Sequence, residues 1–216
     1  ENPNRKFFSY ANTVTTINFQ KTFKGHGWVG LMFQAQPNQE YSEIVLHVKF
    51  KENDATLQQE TLGSLGVNLV YGAFYLYDNP RRLIKSLYDD ISVDKIEIDM
   101  VDFRGPAFEY VDNRLMSLQL VKNSMTEAVV FNPEGKNMLP ADLLYKKDVF
   151  AVRGSFRPVT LVNVDMFQNG LEMFLKDTEG KPEDTVILFE ITISNLKASG
   201  NLDERDFLDR VDVLAK

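Results

Sequence analysis

Between Ser42 and Phe74 the spacing of apolar residues switches from every second position to every third or fourth. In Ser42–Phe50, Ile44, Leu46, Val48 and Phe50 share one face, the pattern of a strand with one covered side. From Asn53 to Tyr77, Leu57, Leu62, Leu65, Leu69 and Phe74 fall on roughly helical spacing. Gly63, Gly66 and Gly72 lie inside that segment. Glycine weakens an exposed helix, but small residues allow close packing, so the segment reads as a helix buried against a sheet. A chain holding both periods points to layered α/β architecture.

The rest of the chain extends this reading. Phe7 to Tyr10 and Thr13 to Phe19 read as one or two strands, Gly25-His26-Gly27 as a break, and Trp28 to Phe33 as a strand. These predict an antiparallel opening. Asp78-Asn79-Pro80 ends the long helix and starts another over Arg81 to Ile91. Lys95 to Phe103 reads as a strand with Ile96, Ile98 and Met100 on its drier face. Asp112 is placed to cap a helix carrying Leu115, Leu118, Val121 and Met125. Glu127 to Phe131 reads as a short strand, Asn132 to Gly135 as a turn, and Pro140 to Tyr145 as a helical turn. Asp148 to Val152 reads as a short buried strand and Val164 to Lys176 as an amphipathic helix. Gly180-Lys181-Pro182 reads as a turn, Thr185 to Ser194 as a long strand, and Asp203 onward as a helix reaching Lys216 without a C-cap. Because helix and strand alternate after the opening, the expectation is a mixed, largely parallel sheet with an antiparallel N-terminal part and helices packed on it. Residues 1–216 are expected to form a single α/β domain, incomplete at its C-terminal end and a portion of a longer protein.

Composition narrows the function. The chain has 216 residues, 44% hydrophobic and 25% charged, the balance of a folded protein with a core. Its net charge of −7 argues against general nucleic-acid binding. Cysteine is absent, which excludes disulfides, thiolate nucleophiles and Cys-ligated zinc, and the two histidines, His26 and His47, are too few for a His-rich metal site. No apolar run reaches the ~18–20 residues of a membrane-spanning helix. Glu1-Asn2-Pro3-Asn4-Arg5-Lys6 lacks the apolar core of a signal peptide, so the expected location is cytoplasmic.

Local structure and chemistry point the same way at Arg153-Gly154-Ser155-Phe156-Arg157-Pro158-Val159-Thr160. A strand precedes this stretch and a helix follows it, the usual frame for an anionic group. Gly154 and Ser155 supply small residues, and Thr160 a hydroxyl at the helix start. Arg153, Arg157, Lys146 and Lys147 are the available cations. The phosphate- or nucleotide-binding set expected here is Lys146, Arg153, Gly154, Ser155, Arg157, Thr160 and Asn163. The other reading is a tight structural turn.

Gly154-Ser155-Phe156-Arg157-Pro158-Val159-Thr160, followed by Met166-Phe167, resembles the first motif of the nicotinamide or nicotinate mononucleotide adenylyltransferases. The resemblance implies joining of a mononucleotide to the adenylyl group of ATP, with Mg²⁺ as cofactor. The family's phosphate-contacting His has Asn163 as its counterpart, and an amide carries no charge to stabilise a transition state. The second motif, Ile-Ser-x-Thr followed by Arg, is represented only by Ile193-Ser194-Asn195. Leu65 to Tyr71, Val111 to Val121, Leu144 to Lys147 and Arg153 to Met166 together resemble a family of bacterial proteins. Its members carry labels of nicotinate-nucleotide adenylyltransferase or TonB-dependent receptor and run beyond the position of Lys216. The receptor label conflicts with the pattern here, because an outer-membrane barrel needs many ~10-residue strands and no buried helices.

Other candidates have plain alternatives. Arg104 and Asp112-Asn113-Arg114 lie where α/β proteins place ligands, but also read as a helix cap with a structural Arg–carboxylate pair. His26, between Gly25 and Gly27, is an approachable general base or simply a loop residue, and His47 reads as structural. Asp89-Asp90 and Asp94-Glu97-Asp99 either collect a divalent ion or are solvated; the expected metal set is none. Two functions therefore stand side by side. One is a nucleotidyltransferase-like protein that binds a nucleotide or phosphorylated small molecule at Gly154. The other is a non-catalytic structural or protein-interaction domain, homo-oligomeric or with a partner. Sixteen Phe and a 12% aromatic content suit an association surface, and the antiparallel opening offers an edge for pairing.

Overall fold

The computed structural model describes residues 5–178, 182–197 and 200–215. They form two compact units, Glu1–Val129 and Val130–Lys216. Helices and strands are mixed throughout, as the two periodicities require.

Unit 1 is a four-stranded antiparallel sheet in the order β1-β2-β3-β4, with β1 at Phe8–Thr15, β2 at His26–Phe33, β3 at Ser42–Phe50 and β4 at Ile96–Arg104. One face is covered by α1 (Ala55–Tyr75), α2 (Pro80–Ser86) and α3 (Asn113–Lys122). Each helix begins at a side-chain cap. Asp54 accepts from the amides of Thr56 and Leu57, Asn79 from Arg82, and Asp112 from Arg114. The core joins Val29, Leu46 and Val101 of the sheet to Leu65 and Leu69 of α1, all fully buried.

The largely parallel sheet expected from alternation is not what forms; the main sheet is antiparallel. The reason lies in the connection from β3 to β4. α1 leads away from the end of β3, and α2 runs back along it, so that Gly72 meets Leu83 and the Asn68 amide donates to the carbonyls of Leu87 and Asp89. The chain returns to the end it left, where the Lys51 amide donates to the Lys95 carbonyl. One helix would have delivered a parallel strand; a helical hairpin delivers an antiparallel one.

Two readings of local sequence are corrected. Gly25-His26-Gly27 does not simply break the pattern, because β2 starts at His26. Gly27 sits where β1 crosses closely: a Cβ there would stand 2.2 Å from the Thr13 carbonyl oxygen. Along β4 the apolar alternation also slips. Val48 pairs with Ile98 but His47 with Met100, so Asp99 is an extra residue, a β-bulge. The core set becomes Ile96, Ile98, Val101 and Phe103.

Unit 2 contains a two-stranded parallel sheet, β7 (Asp148–Arg153) beside β8 (Thr185–Glu190), joined through α5 (Leu161–Asp177). Parallel pairing is confined to this unit among the described residues. Before it come the short pair β5 (Val130–Phe131) and β6 (Asn137–Met138) and helix α4 (Pro140–Leu144). After it come α6 (Ile193–Leu196) and α7 (Glu204–Leu214). β7 is mostly exposed rather than buried, and α5 has no buried residue. β8 is shorter than expected because Thr192 caps α6 by accepting from the Asn195 amide. In the turn expected at Gly180-Lys181-Pro182, Gly180 and Lys181 lie outside the described residues, as does Lys216; the last described turn closes with Ala215 donating to Val211 and Val213. Among the described residues no helix is long and apolar enough to cross a membrane.

Candidate functional site

The Gly154 stretch does lie between a strand, β7, and a helix, α5, in unit 2. Its cations face partners within the protein. Arg153 Nε contacts Glu190 Oε2 at 3.0 Å, and Arg157 Nε contacts Asp206 Oδ1 at 3.1 Å. Lys147 Nζ contacts Asp184 at 3.0 Å, and the Lys146 ammonium lies over its neighbour Tyr145, 5.1 Å from the ring centre. The Gly154 amide donates to Glu190, and the Gly154 carbonyl accepts from Asn195. The Ser155 carbonyl accepts from Arg210 at 3.0 Å. Thr160 caps α5, and Asn163 returns the bond: its amide donates to Thr160 Oγ1 while its Oδ1 accepts from the Thr160 amide.

Phe156 explains the small residue beside it. Its backbone is left-handed (φ 49°), its ring is buried edge-on to Phe189, and a Cβ at Gly154 would meet that ring at 3.0 Å. The turn therefore brings Ser155 and Arg157 together with Asp206 and Arg210 of α7, while Arg153 and Gly154 both meet Glu190 of β8 and Lys146 lies over Tyr145. Arg210 was not among the residues picked from sequence; it is 5% exposed and pairs with Asp206, but its Nε has no partner among the described residues. Nothing local in Asp206 to Arg210 signals a return to Ser155, fifty-five residues earlier.

Unit 1 holds a second polar cluster on the sheet face away from the helices. His47 Nδ1 lies 2.6 Å from Asp99 Oδ1, and Lys49 Nζ lies 2.6 Å from Asp99 Oδ2. An ionised carboxylate has no proton to give, so His47 Nδ1 carries the hydrogen of this bond, and its Nε2 faces His26 Nδ1, 3.4 Å away. Trp28 meets His47 edge-on, with ring centres 4.9 Å apart. The sequence placed His26 in a loop; it is the exposed end of a chain whose inner members, His47 and Asp99, are buried. Burial pushes the Asp99 carboxyl up, but the His47 hydrogen bond and the Lys49 charge outweigh it and hold the group below its ordinary value.

The other candidates resolve into structural partners. Asp112 caps α3 and pairs with Arg114, while Arg104 pairs with Asp102. Glu97 accepts from Thr126, and Asp99 is held by His47 and Lys49, so these acids do not converge. Among the described residues no group of three or more His, Asp or Glu is placed to hold a metal ion.

Unit 1 also carries a groove of about 560 Å³ between β1 and α1, lined by Tyr10, Asn12, Gln59, Leu62, Gly63, Gly66, Val67 and Val70. Gly66 lets Tyr10 pack against α1: a Cβ there would lie 3.0 Å from the Tyr10 hydroxyl. No protein family, curated protein or solved structure matches the chain.

Proposed function

We propose that the chain is a non-catalytic protein-interaction domain whose binding surface is the β1–α1 flank of unit 1. The observation that supports this reading most is an uncharged groove beside a strand edge. β1 has no charged residue and α1 only Glu60, in a chain of which a quarter is charged. Val67, Val70, Tyr71 and Phe74 of α1 are exposed beside that groove. An edge strand next to an apolar helix flank is a recurrent means of holding an extended segment: main-chain bonds supply affinity, and alternate side chains enter the groove. The test is selection of displayed random peptides on the immobilised chain. Extended, uncharged sequences should be enriched, and the enrichment should vanish with Val67→Glu. A library that stays random through successive rounds, on a chain that sediments as a single copy at the same concentration, would contradict the reading.

A second reading keeps an anion at Gly154. It is favoured by the unpartnered, buried Arg210 Nε beside the Ser155 carbonyl. Against it, Arg153, Arg157 and Lys147 already face carboxylates, which a phosphate would have to displace. Calorimetric titration with ATP, nicotinamide mononucleotide and nicotinate mononucleotide, with and without Mg²⁺, separates the two. The interaction reading predicts no heat and an unchanged melting temperature; saturable heat would favour the anion.

A further inference from the structure

Two features of the β1–α1 flank demand different partners, and a second copy of the chain meets both. The first is the backbone. β1 pairs with β2 on one side only, and among the described residues no strand takes its other edge. Natural sheets protect such edges with charges, proline, bulges or covering chain. β4, at the opposite edge, shows several of these: it carries Glu97, Asp99, Asp102 and Arg104, contains the bulge, and receives the segment at Met125, whose carbonyl accepts from the Ile98 amide. β1, Phe-Ser-Tyr-Ala-Asn-Thr-Val-Thr, has eight residues, full register with β2, no charge, no proline and no bulge.

The second feature is the helix. Leu65, Leu69 and Ala73 bury one side of α1, while Val67, Val70, Tyr71 and Phe74 leave an apolar stripe on another at spacings of three and four. That stripe runs beside β1: the rings of Phe8 and Phe74 are 5.6 Å apart, and Tyr10 packs on Gly66. An added peptide strand would satisfy the edge but leave much of the stripe in water. A two-fold partner brings both elements together, strand edge to strand edge and helix flank to helix flank, as an isologous interface requires. Charge allows it. Two chains of net charge −7 repel each other, but the strand and helix concerned carry only Glu60 between them.

We infer that two copies associate through antiparallel pairing of β1 with β1 across a two-fold axis, making one continuous sheet with the α1 stripes packed against each other. The inference rests on the interaction reading above and names its partner. The experiment is sedimentation velocity on the whole chain across the micromolar range, beside two variants that leave the core untouched. Val67→Glu with Tyr71→Glu charges the stripe, where the two side chains are 69% and 50% exposed. Ala11→Lys with Thr13→Lys charges the open face of β1. The expected result is a mass twice the chain's 24.8 kDa at the upper concentrations, with each double variant raising the dissociation constant by about tenfold or more at an unchanged melting temperature. A single-chain mass at every concentration overturns the inference, and so does a dimer indifferent to both variants. If the chain is single but selected peptides bind it and lose that binding with Val67→Glu, self-pairing fails while the interaction reading survives. If neither occurs, both fail.

Discussion

Asp99→Ala should lower the unfolding free energy of unit 1 by about 1–3 kcal/mol, the usual loss when a buried hydrogen-bonding group is left without its partner. The carboxylate is 2% exposed and serves two partners. Its removal leaves the buried His47 Nδ1–H without an acceptor and Lys49 facing a cavity. Asp99→Asn is the informative control. It keeps an oxygen for His47 but gives up the charge that Lys49 meets, so its loss should be smaller. Denaturant melts of the two variants measure the difference. The same group sets a pH dependence. Its pKa in the folded chain is depressed, so the stabilisation is complete above the unfolded value of about 3.9 and is lost as the pH falls through the lower folded value. The wild-type chain should therefore lose stability as it is acidified below about pH 4, and Asp99→Asn should lose less over that interval. Parallel acid profiles for the two would show that the carboxylate is not the group responsible.

Phe33→Ala is expected to cost about 3–5 kcal/mol, by loss of transfer energy and the cavity left behind. The ring is fully buried at the end of β2 and touches three others, with centres 5.8 Å from Phe8, 6.0 Å from Tyr77 and 5.8 Å from Phe108. Phe8 belongs to β1, so the vacancy also loosens the strand that forms one wall of the groove. Thermal melting checks the magnitude. Phe33→Leu, which refills most of the volume, should restore most of the loss.

The elements of unit 1 were largely legible in the sequence, because alternation and helical spacing are local. Ser42–Phe50 is the strand that its alternation predicts, and Asp112 caps the helix that it precedes. What local pattern does not carry is connection and register. Nothing within Asn53 to Ile91 states that two helices fold back on each other, and that one fact turns the sheet antiparallel. Nothing in Ile96-Glu97-Ile98-Asp99-Met100 marks Asp99 as the extra residue, yet the bulge is what turns a solvated acid into a buried partner of His47. At the Gly154 turn the sequence displayed the cations but not their counter-charges. Glu190 and Asp206 lie thirty-seven and forty-nine residues further on, and each takes an arginine that looked available. The groove is not legible in the sequence because α1 is apolar on two flanks. Sequence alone cannot say which of two apolar flanks will be covered, and a helix apolar on both reads as buried.

Hydrogen exchange at β1 tests the central claim, that this flank is where the chain pairs with another copy of itself. Amides of Phe8–Thr15 that point away from β2 have no partner among the described residues of a single chain and should exchange fast when dilute. In a β1–β1 pair they become ladder bonds. Exchange read by mass spectrometry should therefore slow at these residues as concentration rises, with β4 unchanged, and the slowing should disappear in Val67→Glu with Tyr71→Glu. Exchange at Phe8–Thr15 that is the same at every concentration would contradict the account.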